Sequence, residues 1–374
     1  MRVLLLAGGG AKGLSLVMGR DGSRSLLRMP GGRLLDMHLQ TLSEYSDDII
    51  VVSDDPLVES VCIESPGCRH VRQAAPGVEG AVCSGLSALA GGGLVTVLYA
   101  DTYYEKGFVE THMSKLLNSY EPIVTVTRPV LLRGHYLRME VDPVDGRVSS
   151  TGRGDFVYAG LITFPHELAR ELLCRKGMDM HSFIGELVRR GLQANIWLGE
   201  WLDIDTPWDY LVAVQLTLRR LRESRISTSA RIGHGVVLEG PVVVEDGAIV
   251  DHYAVVKGPA YIGPRSLVGA HSFVRGSAIY ESAVVGAYAE VKRSIVYDAA
   301  RVGSHSYIAD SVLGRASTAA PYTVTINTPY AGVSSEVVIM TTHPLETLKI
   351  GSVIAAGSET SPHAVLKPAT IYSG

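Results

Sequence analysis

Close to its amino terminus the chain passes from the apolar run Val3 to Ala7 into Gly8-Gly9-Gly10-Ala11-Lys12-Gly13. Bare glycine backbone lets N–H groups approach an anion closely, and Lys12, Arg20, Arg24 and Arg28 follow to neutralise its charge. Those residue types in that order point to phosphate chemistry, with a plain structural turn as the alternative. Gly8, Gly10 and Gly13 also satisfy G-x-G-x-x-G, but a dinucleotide site needs an acidic residue ending the second strand about 20 residues on. Here the second apolar run ends at Asp54 and Asp55, far past that point, so a nicotinamide dinucleotide is set aside.

A loop of this kind needs a strand before it and a sheet around it. Apolar runs at Met1 to Ala7, Asp48 to Val52, Leu94 to Ala100 and Pro122 to Thr127 predict strands. Helical periodicity between them, as at Leu34 to Leu42 and Phe108 to Leu117, predicts a mostly parallel sheet covered on both faces. Thr206 as N-cap, Pro207 in the first turn and Asp209 open a helix with the apolar stripe Leu211, Val214, Leu218 and Leu221. Its end carries Arg219, Arg220 and Arg222, a solvated basic run that suits the negative end of a helix.

After Arg225 the texture changes. Ile232, Leu238, Val244, Val250, Val256, Ile262, Val268 and Val274 recur at a constant interval, followed by Tyr280, and small residues such as Ala230, Val236, Ala248 and Ala254 precede them. The period continues less strictly through Val285, Val291, Tyr297, Val302 and Ile308. One branched and one small inward residue per repeat predict flat strands of a triangular parallel solenoid. The expected domains are residues 1–225, an α/β unit with a mostly parallel Rossmann-like sheet, and residues 226–374, all β. An outward apolar series, Val237, Val243, Ile249, Val255, Leu267, Phe273 and Ile279, predicts burial against other subunits, as a homotrimer or higher homo-oligomer.

Composition narrows the classes of partner. With 34 Lys and Arg against 38 Asp and Glu the net charge is −4, which gives no field for nucleic acid or an anionic membrane. No apolar stretch reaches the roughly 18 residues of a membrane span, so a cytoplasmic protein is expected. Cys62, Cys68, Cys83 and Cys174 lack C-x-x-C spacing, and reduced, buried, chemically quiet thiols are expected of them.

The amino-terminal half resembles the sugar-1-phosphate nucleotidylyltransferases. Their L-A-x-G-x-G-T-R is matched in frame by Leu6-Ala7-Gly8-Gly9-Gly10-Ala11-Lys12-Gly13, and their P-K-P-L by the region of Ser23-Arg24-Ser25-Leu26 and Pro30-Gly31-Gly32. Lys12-Gly13 replaces the family's Thr-Arg and Arg24 its lysine, which makes Lys12 and Arg24 the candidate catalytic cations. Gln73, Pro76, Gly77 and Gly80 resemble the base-recognising Q-x-x-P-x-G-T-A. Ala100-Asp101 resembles G-D, and Trp201-Leu202-Asp203-Ile204-Asp205-Thr206-Pro207 resembles W-x-D-I-G-T-P. Tyr158-Ala159-Gly160 falls on the sugar-binding N-A-G.

The resemblance implies an NTP and a sugar 1-phosphate as substrates, Leu6, Ala7, Gly8, Gly9, Gly10, Gln73 and Gly80 around the nucleotide, and Tyr158 and Gly160 at the sugar. It also implies Mg²⁺ on Asp101 and Asp203, a hard cation on oxygen ligands that steadies charge during in-line phosphoryl-type transfer. The solenoid resembles hexapeptide-repeat acyltransferases, which are left-handed parallel β-helices, and above all the bifunctional uridylyltransferase–acetyltransferases. Lys292, His305, Tyr307 and Asn327 carry that second likeness and make acetyl-CoA a candidate cofactor. His305 stands one residue later than the family's histidine, and a one-residue shift turns a side chain to the other face of a strand. Acetyl transfer is therefore expected to be weak or absent. The alternatives are a noncatalytic regulatory or scaffold subunit that binds sugar nucleotides, and an acyltransferase with a relic first domain.

Overall fold

A computed structural model describes residues 2–10, 12–129, 133–328 and 349–374, without the side chain of Lys12. The chain forms two compact units, one of Met1–Gly10, Gly22–Leu27 and Arg33–Asp203, the other of Ala11–Asp21, Arg28–Gly32 and Ile204–Gly374.

In the first unit the apolar runs become strands because both faces of the sheet are covered. They are β1 (Arg2–Leu6), β2 (Ile49–Ser53), β3 (Cys68–Arg72) and β4 (Leu94–Tyr99), in the order β4-β1-β2-β3 and all parallel. Val3, Leu4, Leu5, Ile50, Val51 and Val97 are wholly buried, as expected of a sheet without a wet face. Helices α1 (Leu34–Ser43), α2 (Pro56–Ile63), α3 (Gly77–Ala88) and α4 (Gly107–Ser119) follow successive strands. Beyond β4 the sheet departs from the expected parallel pattern. After the short β5 (Thr102–Tyr104), β6 (Ile123–Thr127), β7 (Arg138–Val141), β8 (Val148–Thr151) and β9 (Phe156–Pro165) complete it with β10 (Gln193–Trp197), and β9 runs antiparallel to β4, β6 and β7. The sheet is therefore mixed, and its parallel half carries the glycine loop.

The expectation of free thiols is wrong. Cys62 pairs with Cys68 and Cys83 with Cys174, leaving no free cysteine. Cys62 lies in the last turn of α2 and Cys68 opens β3, so a tight turn joins them. Cys83 on α3 meets Cys174 in the π-helix Arg170–Arg175 because those two helices pack together, a proximity that spacing alone does not reveal.

In the second unit, the described residues from Arg225 onward wind into a solenoid of three parallel sheets, each strand pairing with the equivalent strand of the next coil. The first face holds Val242–Val244, Ala260–Ile262, Ala278–Ile279, Ile295–Val296 and Val312–Leu313; the second passes through Ile249–Val250 and Leu267–Val268, the third through Val255–Lys257 and Phe273–Arg275. The inward positions Val244, Val250, Val256, Ile262, Val268 and Val274 are buried as the repeat predicts.

The period then slips. Ile262 pairs with Ile279, so Ile279 points inward and Tyr280 does not; likewise Val296, not Tyr297, joins the inner column. A buried serine ladder closes the shortened corner. Ser277 Oγ donates to the Arg275 carbonyl and accepts from Ser294 N, and Ser294 and Ser311 repeat the arrangement one coil on.

Helix α5 (Met180–Arg189) belongs to the first unit, whereas α6 (Pro207–Arg219) packs in the second. The predicted start of α6 is present as a capping box, in which Thr206 accepts from Asp209 N and the Asp209 carboxylate accepts from Thr206 N. Helix α6 lies near the first face, against the strand Val312–Leu313, and Gln215 donates to the Gly276 carbonyl. That changes the reading of the outward apolar series. Val243 is buried within the chain itself and Ile279 belongs to the core, whereas Val237 stays 49% exposed.

Candidate functional site

Gly8 to Gly10 follow β1 at the carboxy-terminal ends of β1, β2 and β3. Ala7 N donates to the Val52 carbonyl, Ser53 Oγ to the Ala7 carbonyl, and Gln73 N to the Ser53 carbonyl, so three strand ends are tied together. Gly9 has φ +95°, a conformation that favours glycine. The Gln73 side chain abuts Gly8, where an added Cβ would lie 2.2 Å from Gln73 Oε1. Its Nε2 donates to the carbonyls of Ala75 and Gly77. Gly80, in the first turns of α3, lets the helix pass the Ala75 carbonyl, since a Cβ there would lie 2.0 Å from that oxygen. Leu6, Ala7, Gly8, Gly9, Gly10, Gln73 and Gly80 thus fall in one neighbourhood. The side chain of Lys12 lies outside the described residues.

Asp101 follows β4, and Ala100 N donates to the Leu6 carbonyl, which brings the carboxylate to the same edge of the sheet. Arg24 Nη2 ion-pairs with Asp101 Oδ2, so two residues expected at the catalytic centre meet directly. Their supports escape sequence reasoning. The Asp55 carboxylate caps α2 through Leu57 N and also accepts from Ser23 N at 2.8 Å, fixing the turn that presents Arg24. His38 is wholly enclosed between the Tyr104 hydroxyl at 2.7 Å and the Ala100 carbonyl at 3.1 Å. Burial lowers its pKa to about 4, so the ring is neutral at pH 7, donates to Ala100 and accepts from Tyr104. It thereby steadies the residue just before Asp101.

Strand β5 pairs antiparallel with β11 (Trp201–Asp203), setting Asp203 opposite Thr102, the residue after Asp101. The two-stranded ribbon therefore brings the backbone of the second expected aspartate close to that of the first. His135 Nε2 lies 3.5 Å from Asp203 Oδ2, and no motif announced it. Its neighbour Tyr136 packs edge-on against Trp201, whose Nε1 donates to the Ala159 carbonyl. Tyr158 meets Tyr99 edge-on at 5.5 Å, and burial pushes both phenols upward, which keeps them protonated. Gly160 has φ +79° and lies against Tyr99. Asp101 and Asp203 are oxygen donors on adjoining strand ends, the type of set that suits Mg²⁺, with one Asp101 oxygen engaged by Arg24.

The solenoid residues have a different character. His305 takes φ +60° at the corner between the second and third faces and is stacked between Tyr288 and Tyr322 at 5.0 Å on each side. It is one rung of a ladder that runs Tyr253, His271, Tyr288, His305, Tyr322, His363, with every ring in the stack within 15° of parallel to the next. Lys292 stands over the Tyr307 ring at 5.1 Å and pairs with Glu290, while Asn327 donates to Asp310, which Arg293 also holds. The structure therefore brings Lys292 to Tyr307, and shows neither His305 nor Asn327 bonded to that pair.

Residues 3–147 match the family described as the MobA-like NTP transferase domain, and residues 238–343 match the GMPPB C-terminal domain. No curated protein matches the chain in sequence. Among solved structures, one from Bacillus anthracis, assigned as a glucose-1-phosphate thymidylyltransferase in complex with sucrose, is similar with a TM-score of 0.50 and 13% identity. The similarity covers 60% of this chain and 98% of that one. At that identity the likeness is one of fold: an α/β nucleotidyltransferase fold.

Proposed function

We propose that the first unit transfers a nucleotidyl group from an NTP to a sugar 1-phosphate. The observation that carries this reading is the convergence of the glycine loop, the Arg24–Asp101 pair and the ribbon bearing Asp203 on one edge of a parallel sheet. Open α/β sheets bind ligands at that edge. A sugar-phosphate oxygen would attack the α-phosphorus in line, and pyrophosphate would leave into the loop. Backbone N–H groups of Gly8 to Gly10 would cradle phosphate oxygens, and Arg24 would offset the charge that develops on the leaving group. Asp101 and Asp203 would hold Mg²⁺, whose bound charge neutralises phosphate oxygens. Gln73 and Gly80 would border the base, and Tyr158 and Gly160 the sugar.

In this reading the solenoid, which resembles the left-handed hexapeptide-repeat helices, does not transfer acetyl groups. A general base must come within about 3 Å of its proton or act through one water, and among the described residues His305 stacks in the tyrosine ladder with no bond to the Lys292–Tyr307 pair. Partly exposed apolar residues on its other two faces, among them Leu267 and Phe273, favour assembly with further copies of the chain. A second reading, a subunit that binds sugar nucleotides without turning them over, draws on the Arg24 guanidinium held on Asp101. Pyrophosphate release from four NTPs against a panel of sugar 1-phosphates, with Mg²⁺, tests the proposal. Release with one pairing supports it; tight binding of a sugar nucleotide with no release from any pairing selects the second reading.

A further inference from the structure

His135 stands beside Asp203 and has no part in the reaction as proposed. Its Nε2 lies 3.5 Å from Asp203 Oδ2, and each side chain offers a metal-ligating atom. Charge-assisted hydrogen bonds between an N–H and a carboxylate run at about 2.7–2.9 Å, so this spacing is long for a simple ion pair. It suits two ligands of one ion. Bonds of about 2.1 Å to nitrogen and to oxygen set the donor atoms about 3.4 Å apart when they meet at a tetrahedral angle, and about 3.0 Å apart at an octahedral right angle.

Packing holds the imidazole in place. Side chains alternate between the faces of a strand, so Trp201 and Asp203 share one face of β11. Tyr136 meets the Trp201 ring at 5.9 Å and the His135 ring at 4.7 Å, both edge to face, and Trp201 Nε1 is tied to the Ala159 carbonyl at 2.9 Å. The His135 side chain is 58% exposed and that of Asp203 17%, so an ion with its waters can reach both donors from solvent. The donor types then select the ion. Mg²⁺ takes oxygen ligands in near-octahedral geometry, whereas an imidazole beside a carboxylate suits divalent first-row transition ions such as Co²⁺ and Zn²⁺.

We propose that His135 Nε2 and the Asp203 carboxylate together bind a divalent first-row transition ion in preference to Mg²⁺, the remaining positions going to water, a second carboxylate and substrate phosphate oxygens. The inference rests on Asp203 as a metal ligand of the proposed nucleotidyl transfer, and adds the imidazole that decides which ion is held. Co²⁺, whose visible absorption reports its ligands, is the probe. Added stepwise to the full chain without nucleotide, it should bind saturably at sub-millimolar concentration and be displaced by Zn²⁺ far more readily than by Mg²⁺. His135→Ala and Asp203→Asn should each weaken binding at least about tenfold. His135→Gln should do the same and serves if His135→Ala does not fold. His305→Ala, in the solenoid, should leave binding unchanged. Absence of saturable Co²⁺ binding overturns the proposal, as does binding indifferent to the His135 substitutions or displaced as readily by Mg²⁺ as by Zn²⁺. Loss in His305→Ala instead assigns the ion to the solenoid and also overturns it. Failure of pyrophosphate release while Co²⁺ binds through His135 counts against nucleotidyl transfer and leaves this metal site standing.

Discussion

Residues singled out for chemistry meet in the first unit and are taken up by neighbours in the second. Arg24 and Asp101 are far apart in sequence, yet the fold brings them together as an ion pair at one sheet edge, and the ribbon of β5 and β11 sets Asp203 opposite Thr102, next to Asp101 in the chain. In the solenoid a side chain's neighbours are the equivalent residues one coil above and below, so His305 stacks on Tyr288 and Tyr322. An α/β sheet concentrates residues from distant segments at one edge. A solenoid distributes them along a line, where like rungs satisfy each other.

The largest expected effect concerns the polar interior of the first unit. His38 and His112 are enclosed and neutral, with pKa values lowered by burial to about 4 and about 3. His112 bridges Thr125 and Thr163 at 2.8 Å each. The unfolded chain binds protons from about pH 6.5 downward while the native rings do not, so stability falls as pH drops through that value. Between pH 7 and pH 5 the loss is about 2 kcal/mol per histidine. Denaturant titrations at pH 7, 6 and 5 should show the decline, and a flat profile would mean that the two rings can charge in place.

A smaller effect is expected at Gly80→Ala. The new methyl would meet backbone, the Ala75 carbonyl, rather than a movable side chain. Overpacking of this sort costs about 1–3 kcal/mol and should shift α3 against the Gln73 turn, so stability and nucleotide affinity should fall together. A neutral result would show that the turn can give way.

Smaller still is the ladder. His305→Ala removes two stacked contacts, each worth about 0.5–1.5 kcal/mol, with exposure favouring the lower end. It should lower the melting temperature modestly while leaving pyrophosphate release intact. A large loss of acetyl-CoA turnover instead would make the histidine a working base.

The same contrast explains what could be read in advance. The strands and glycine loop were legible because apolar runs and Gly8 to Gly13 are local signals, and Thr206 with Asp209 announced the start of α6. The slip at Ile279 was not, since a buried tyrosine next to a buried isoleucine satisfies either phase. Nor was the Cys83–Cys174 bond, which depends on how two helices pack. The supports of the site, Asp55 and His38, act through single bonds to Ser23 N and the Ala100 carbonyl, and His135 comes from a loop with no motif.

The central claim is that the charge cluster around Asp101, and not the solenoid corner at His305, does the chemistry. Initial rates of pyrophosphate release and of acetyl-CoA consumption should be measured side by side for the wild type, Asp101→Asn and His305→Ala, with Mg²⁺ and with chelator. The expected result is Mg²⁺-dependent pyrophosphate release reduced at least about 10² by Asp101→Asn and unaffected by His305→Ala, with negligible acetyl-CoA consumption throughout. Pyrophosphate release indifferent to both chelator and Asp101→Asn, or robust acetyl-CoA turnover abolished by His305→Ala, would contradict it.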